Sequence, residues 1–190
     1  MFWWNNGRVE MIAERKVSAV GFDLDNTLYQ VTPQINEAIR EYACRTAAKI
    51  LSRQYEDFRG QVDLNLAATN SGSQSLQLLG IGNGKEIMQE AIEEADIASV
   101  LSRDDRLVEM LSRLKSNFSL FLITSSGEKS ANSKLSSLGV REEMFYPAIY
   151  GNSDYKREDG TAFRYVSGEL IVTFGKMMFV GDREWTDILP

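Results

Sequence analysis

With 190 residues, a net charge of −6 and a pI near 4.9, the chain is long enough for one good core plus a small insert and too short for two full-sized domains. Its 43% hydrophobic and 25% charged content is that of a globular protein, and the lack of a Lys/Arg block able to neutralise a run of phosphates excludes a nucleic-acid partner. Histidine is absent and cysteine is confined to Cys44, which removes Ser-His and Cys-His catalysis and any disulfide framework, leaving acid/base and metal chemistry to carboxylates.

A reducing cytoplasm is the expected compartment for such cysteine usage. No apolar run approaches the roughly 20 residues needed to span a bilayer, so no membrane partner is expected.

Residues 1–15 read as an N-terminal extension carrying Phe2, Trp3 and Trp4. These rings either pack on the body or meet a partner; alternatively Met11 is the natural start. The apolar, β-branched run Val17 to Phe22 predicts a buried strand. Directly after it come Asp23 and Asp25, two carboxylates two positions apart. Ligands of open α/β sheets bind beyond the carboxyl ends of strands, which puts both acids at a cleft. Like charges that close oppose one another's ionisation, which calls for a cation, a shared proton or a division into acid and nucleophile.

Thr32-Pro33 is a helix-start signal, and Ile35, Ala38, Ile39, Tyr42, Ala43, Ala47 and Ile50 follow at helical spacing. A polar stretch at 65–75 breaks that pattern, which resumes through Leu76, Ile87, Met88 and Ala91. Residues 31–96 thus read as an all-helical insert. Helices and strands then alternate: a helix at 104–115, a strand at 118–123, a helix at 129–138, a short strand at 148–150, a helix at 162–170 and a strand at 177–180. Such alternation predicts a parallel sheet with right-handed crossovers, every strand end facing the edge that carries Asp23.

Polar groups converge on that edge. The second strand is followed by Thr124, Ser125, Ser126 and Gly127, hydroxyls and a glycine turn at a helix start that suit a phosphate. The last strand is followed by Gly181 and Asp182, then Asp187, and the loop 151–160 carries Lys156.

In this order the residues resemble the haloacid dehalogenase-like (HAD) hydrolase superfamily. Phe22-Asp-Leu-Asp-Asn-Thr-Leu-Tyr29 is similar to its first motif, Ile123-Thr-Ser-Ser126 to its second, Lys156 to its third and Val180-Gly-Asp-Arg-Glu-Trp-Thr-Asp-Ile188 to its fourth. The insert at 31–96 lies where one subclass carries a helical cap. The resemblance implies an α/β, Rossmann-like core with helices on both faces, built from 16–30 and 97–190 and apparently lacking the family's last strand and helix. It also implies a Mg²⁺-dependent phosphatase acting on a small phosphorylated metabolite, a nucleotide or a sugar phosphate, with oligomerisation left open. Asp23 would be the nucleophile and Asp25 the acid/base. Thr124, the Ser125 N–H and Lys156 would bind phosphate. Asp23, the main-chain carbonyl of Asp25 and Asp182 would hold Mg²⁺, with Asp187 acting behind them or through water. Arg157 follows Lys156 where family members commonly have proline, so either of the two basic residues is a candidate to face the cleft. A phosphomutase shares all four motifs, and a catalytically weak binding or assembly module is the further alternative.

Overall fold

A computed structural model describes residues 16–155, 157 and 159–182. The extension at 1–15 therefore lies outside the described residues. Four parallel strands, β1 (Ala19–Phe22), β2 (Ser119–Ile123), β3 (Ala148–Ile149) and β4 (Met177–Val180), lie in the order β3-β2-β1-β4. The first strand of the chain is thus interior, and Phe22 is level with Leu122 on one side and Val180 on the other. Asp23 begins where that row ends.

Alternation along the strands divides the apolar side chains between two faces. Val20, Phe22, Leu120 and Leu122 pack with Leu107 and Leu111 of α5 (Asp105–Lys115) and Ala131 and Leu135 of α6 (Glu128–Ser137). Ala19, Phe121, Ile123 and Ile149 pack with Ala162 and Val166 of α7 (Thr161–Leu170). Gly21 belongs to the second face for a steric reason. A Cβ there would stand 2.1 Å from a ring carbon of Phe121, so the missing side chain is what admits the ring. The parallel sheet is the one expected from the alternating pattern, and the fold is the Rossmann-like α/β arrangement that the resemblance implies.

Between β1 and α5 the chain forms α1 (Pro33–Ile50), α2 (Tyr55–Thr69), α3 (Gly72–Leu78) and α4 (Gly84–Glu94). Thr32 caps α1, its hydroxyl accepting from the Ile35 N–H at 3.3 Å. The helices share an apolar cluster that includes Ala43, Cys44, Ala47, Phe58, Val62, Leu76, Ile87 and Ala91. The polar stretch at 65–75 does not interrupt helix where the sequence suggests. Instead α2 continues to Thr69, Asn70 turns left-handed at φ 49°, and Ser71 caps α3. The polar side chains satisfy the backbone at this junction. Thr69 Oγ1 donates to the Asn65 carbonyl at 2.8 Å, and Ser75 Oγ donates to that of Ser71 at 2.7 Å. Hydropathy alone reads such residues as a loop. No helix among the described residues is long and apolar enough to cross a membrane.

Candidate active site

The chain leaves β1 through a tight turn, with the Leu28 N–H donating to the Leu24 carbonyl at 3.0 Å. Asn26 adopts φ 60°, a conformation that asparagine tolerates better than most residues. Its side-chain amide donates to Asp182 Oδ2 at 2.9 Å, tying the β1 turn to the end of β4. The Asp23 N–H donates to the Val180 carbonyl at 2.9 Å, which brings the ends of these two strands together.

The two acids of the turn occupy different environments. The Asp23 side chain is 4% exposed and forms an ion pair at 3.2 Å with Arg157, itself 4% exposed. Arg157 also donates to Ser125 Oγ at 2.9 Å. Of the two basic candidates in that loop, Arg157 is therefore the one seen against Asp23, whereas Lys156 lies outside the described residues. Guanidinium is a planar multiple donor and suits this bridging of a carboxylate and a hydroxyl.

Asp25 turns the other way. Its Oδ1 accepts from Lys134 Nζ at 2.7 Å and from the Tyr29 phenol at 2.5 Å. Its Oδ2 accepts from Ser126 Oγ at 2.6 Å, with Thr124 Oγ1 at 3.5 Å. Burial by itself would raise the Asp25 carboxyl, but the Lys134 charge and the hydrogen bonds of Lys134, Ser126 and Tyr29 outweigh it and hold the group below its ordinary range. Burial, reinforced by Asp25, pushes the Tyr29 hydroxyl upward, so it remains a neutral donor. Tyr29 is thus turned inward onto Asp25.

Thr124 is buried at the end of β2, and its hydroxyl accepts from the Ser126 N–H at 3.1 Å, shaping the turn into α6. Gly151 packs against this turn. A Cβ at that position would lie 1.9 Å from the Ser125 carbonyl oxygen, and the Gly151 N–H donates to the Ser126 carbonyl at 2.9 Å. A cleft of about 440 Å³ between the end of α4 and α6 is lined by Glu94, Asp96, Gly127, Lys134 and Asn152. A larger cavity of about 650 Å³, between α1 and residues 95–100, contains none of the predicted site residues. The smaller cleft is likewise lined by none of them, and it meets their surroundings through Lys134, which contacts Asp25.

The structure brings Asp23, Asp25, Thr124, Ser125 and Asp182 to one sheet edge. It adds Lys134, Ser126, Tyr29 and Arg157 around them. Asp187 lies outside the described residues. Lys134 carries a sequence signal: it falls on the same α6 stripe as Ala131, Leu135 and Leu138, where a buried apolar residue is expected.

Among the described residues, no three acidic, cysteine or histidine side chains converge as a metal cluster. The donor chemistry at the edge nonetheless fits a hard cation. The carboxylates of Asp23 and Asp182 end neighbouring strands, and the Asp25 carboxylate is committed to its own partners, leaving its main-chain carbonyl for such a role. Charge points the same way. Among the described residues, Asp23, Asp25 and Asp182 outnumber Lys134 and Arg157, and a cation would offset that excess beside a dianionic phosphate.

The chain belongs to the haloacid dehalogenase-like hydrolase family, which matches residues 17–190. No curated protein matches the sequence. Among solved structures, it is similar to a HAD phosphatase from Thermococcus onnurineus at 19% identity and TM-score 0.59, covering 90% of this chain and 80% of that one. A provisionally assigned β-phosphoglucomutase from Thermotoga maritima aligns at 22% identity and TM-score 0.58, over 90% of this chain and 78% of that one. The provisionally assigned HAD hydrolase YfnB from Bacillus subtilis, bound to magnesium, aligns at 15% identity and TM-score 0.52, over 91% and 83%. At these identities the structural likeness speaks to the fold.

Proposed function

We propose that this hydrolase is a Mg²⁺-dependent phosphatase for a small phosphorylated metabolite, working through an aspartyl-phosphate on Asp23. The observation that carries the reading is the unequal treatment of the two acids. Asp23 is buried at the end of β1 against Arg157, while Asp25 is engaged by Lys134, Ser126 and Tyr29. Environments that separate two neighbouring carboxylates divide their roles.

Asp23 attacks phosphorus in line with the leaving oxygen, forming the Asp23 O–P bond as the ester P–O bond breaks. Arg157, joined to both Asp23 and Ser125, neutralises charge on the phosphoryl group and orients it beside the Thr124–Ser126 turn. Asp25 moves the proton. As the carboxylate that its hydrogen bonds favour, it takes a proton from the water that hydrolyses the aspartyl-phosphate; once protonated, it supplies the leaving oxygen. Bound Mg²⁺, held by Asp23, Asp182 and the Asp25 carbonyl with Asp187 behind them, would neutralise the carboxylates and phosphate crowded at this edge. Residues 31–96 would act as the cap that selects the leaving group and excludes water.

The test is a screen of phosphomonoesters with and without Mg²⁺, comparing the wild-type chain with Asp23→Asn. Phosphate release that requires Mg²⁺ and disappears in the variant is expected; unchanged turnover by Asp23→Asn sinks the assignment. The likeness to a protein assigned as a β-phosphoglucomutase motivates a second reading, a phosphomutase, which an isomerised sugar phosphate in place of free phosphate would identify.

A further inference from the structure

Lys134 is the one charged residue of α6 on its buried face. It is 1% exposed, among Ala131, Leu135 and Leu138 of the sheet's apolar cluster. Removing an ammonium group from water costs several kcal/mol after relaxation, and a leucine or methionine would pack there without that penalty. The position of its partners gives the charge a purpose. Lys134 Nζ donates directly to Asp25 Oδ1 at 2.7 Å and to Ser126 Oγ at 2.9 Å, while that same hydroxyl donates to Asp25 Oδ2 at 2.6 Å. One ammonium thus reaches both carboxylate oxygens, one directly and one through Ser126, and fixes the rotation of the carboxylate plane as well as its place.

We infer that Lys134 is a positioning residue for proton transfer by Asp25, clamping the carboxylate through Ser126 so that it addresses the leaving oxygen and the incoming water. This inference rests on the phosphatase reading above. Lys134 acts on the reaction through Asp25, and its loss appears only in steps that need a proton moved. An alkyl phosphate needs its leaving oxygen protonated, whereas p-nitrophenolate leaves as a stable anion. Because kcat/KM reports only the steps up to release of the leaving group, the two esters separate proton delivery from everything else.

The experiment measures kcat/KM for glycerol phosphate and p-nitrophenyl phosphate, with Mg²⁺, in wild type, Lys134→Met, Asp25→Asn and the double variant. Misplacing a proton-transfer group costs roughly 100-fold. Lys134→Met is therefore expected to lower kcat/KM for the alkyl ester by about that factor and to raise the aryl-to-alkyl ratio at least about tenfold. In the Asp25→Asn background, Lys134→Met should have no further effect on either ester. The double variant removes both buried charges together, so it folds even where an unpaired Asp25 destabilises the single variant. Ser126→Ala, which removes the second arm of the clamp, should shift the ratio in the same direction. Equal losses on both esters, an additive loss in the Asp25→Asn background, or faster alkyl-ester turnover by Lys134→Met would each overturn the positioning role. Absence of turnover of either ester by wild type would instead overturn the phosphatase reading and this inference with it.

Discussion

Asp25, Asn26 and Cys44 show how much a single side chain's surroundings decide. Asp25 has a folded value below its unfolded value of 3.8, because Lys134, Ser126 and Tyr29 outweigh burial. Such a carboxyl contributes stability that is present above the unfolded value and is lost as pH falls through the folded one. Urea midpoints should therefore drop as pH falls through 3.8 and below it, and the drop should be shallower in the Asp25→Asn/Lys134→Met double variant. Asn26 holds a left-handed backbone and the Asp182 carboxylate. Asn26→Ala should cost about 1–2 kcal/mol in denaturant unfolding, and Asn26→Gly less, because glycine restores the conformation but not the hydrogen bond. The Cys44 thiol is buried and pushed up to about 11 by that burial. Ellman's reagent should leave it unmodified at neutral pH until the protein is unfolded in urea. At this scale the sequence is legible where a residue's chemistry and its place at a strand end agree, as for Asp23, Asp25, Thr124, Ser125 and Asp182. Lys134 is harder to see because a lysine in a helix reads as solvated, and only its register with Ala131 and Leu135 betrays it. Neither Lys156 nor Arg157 has a periodic context to say which turns inward.

At the scale of elements, hydrophobic periodicity marks the strands and helices, and local chemistry marks their ends. Asp104 caps α5, its Oδ1 accepting from the Arg106 and Leu107 N–H groups at 3.0 and 3.1 Å, just where acids precede the apolar stripe. The 65–75 stretch was opaque because its Asn, Thr and Ser side chains bond the backbone of a helix junction, and a hydropathy pattern cannot distinguish that from solvation. The same limit hides the need for Gly151. Its Cβ-free approach to the Ser125 carbonyl sets how closely the loop after β3 packs on the turn after β2. Gly151→Ala should displace the Thr124–Ser126 turn and weaken inorganic phosphate binding by about tenfold in calorimetry, through misplacement of the donors. Unchanged phosphate affinity would show that the turn does not contact the ligand.

Across the whole molecule, the sheet's two faces and the helical segment each have an apolar cluster of their own. Among the described residues, Ile39 and Tyr42 of α1 pack against both the helical cluster and the cluster on the α5/α6 face of the sheet. Native-state hydrogen exchange should accordingly resolve two cooperative units, with amides of α2 and α3 opening at lower free energy than those of β1 and β2. A single exchange isotherm shared by both groups would contradict this. That apolar seam also bears on how the helical segment could be exchanged. Ile35, Ile39 and Tyr42 of α1 and Ala95 and Ile97 after α4 all reach the sheet's cluster, so a chimera with a different helical segment has to keep these side chains complementary, while the sheet edge with its acids, hydroxyls and two buried cations needs no change.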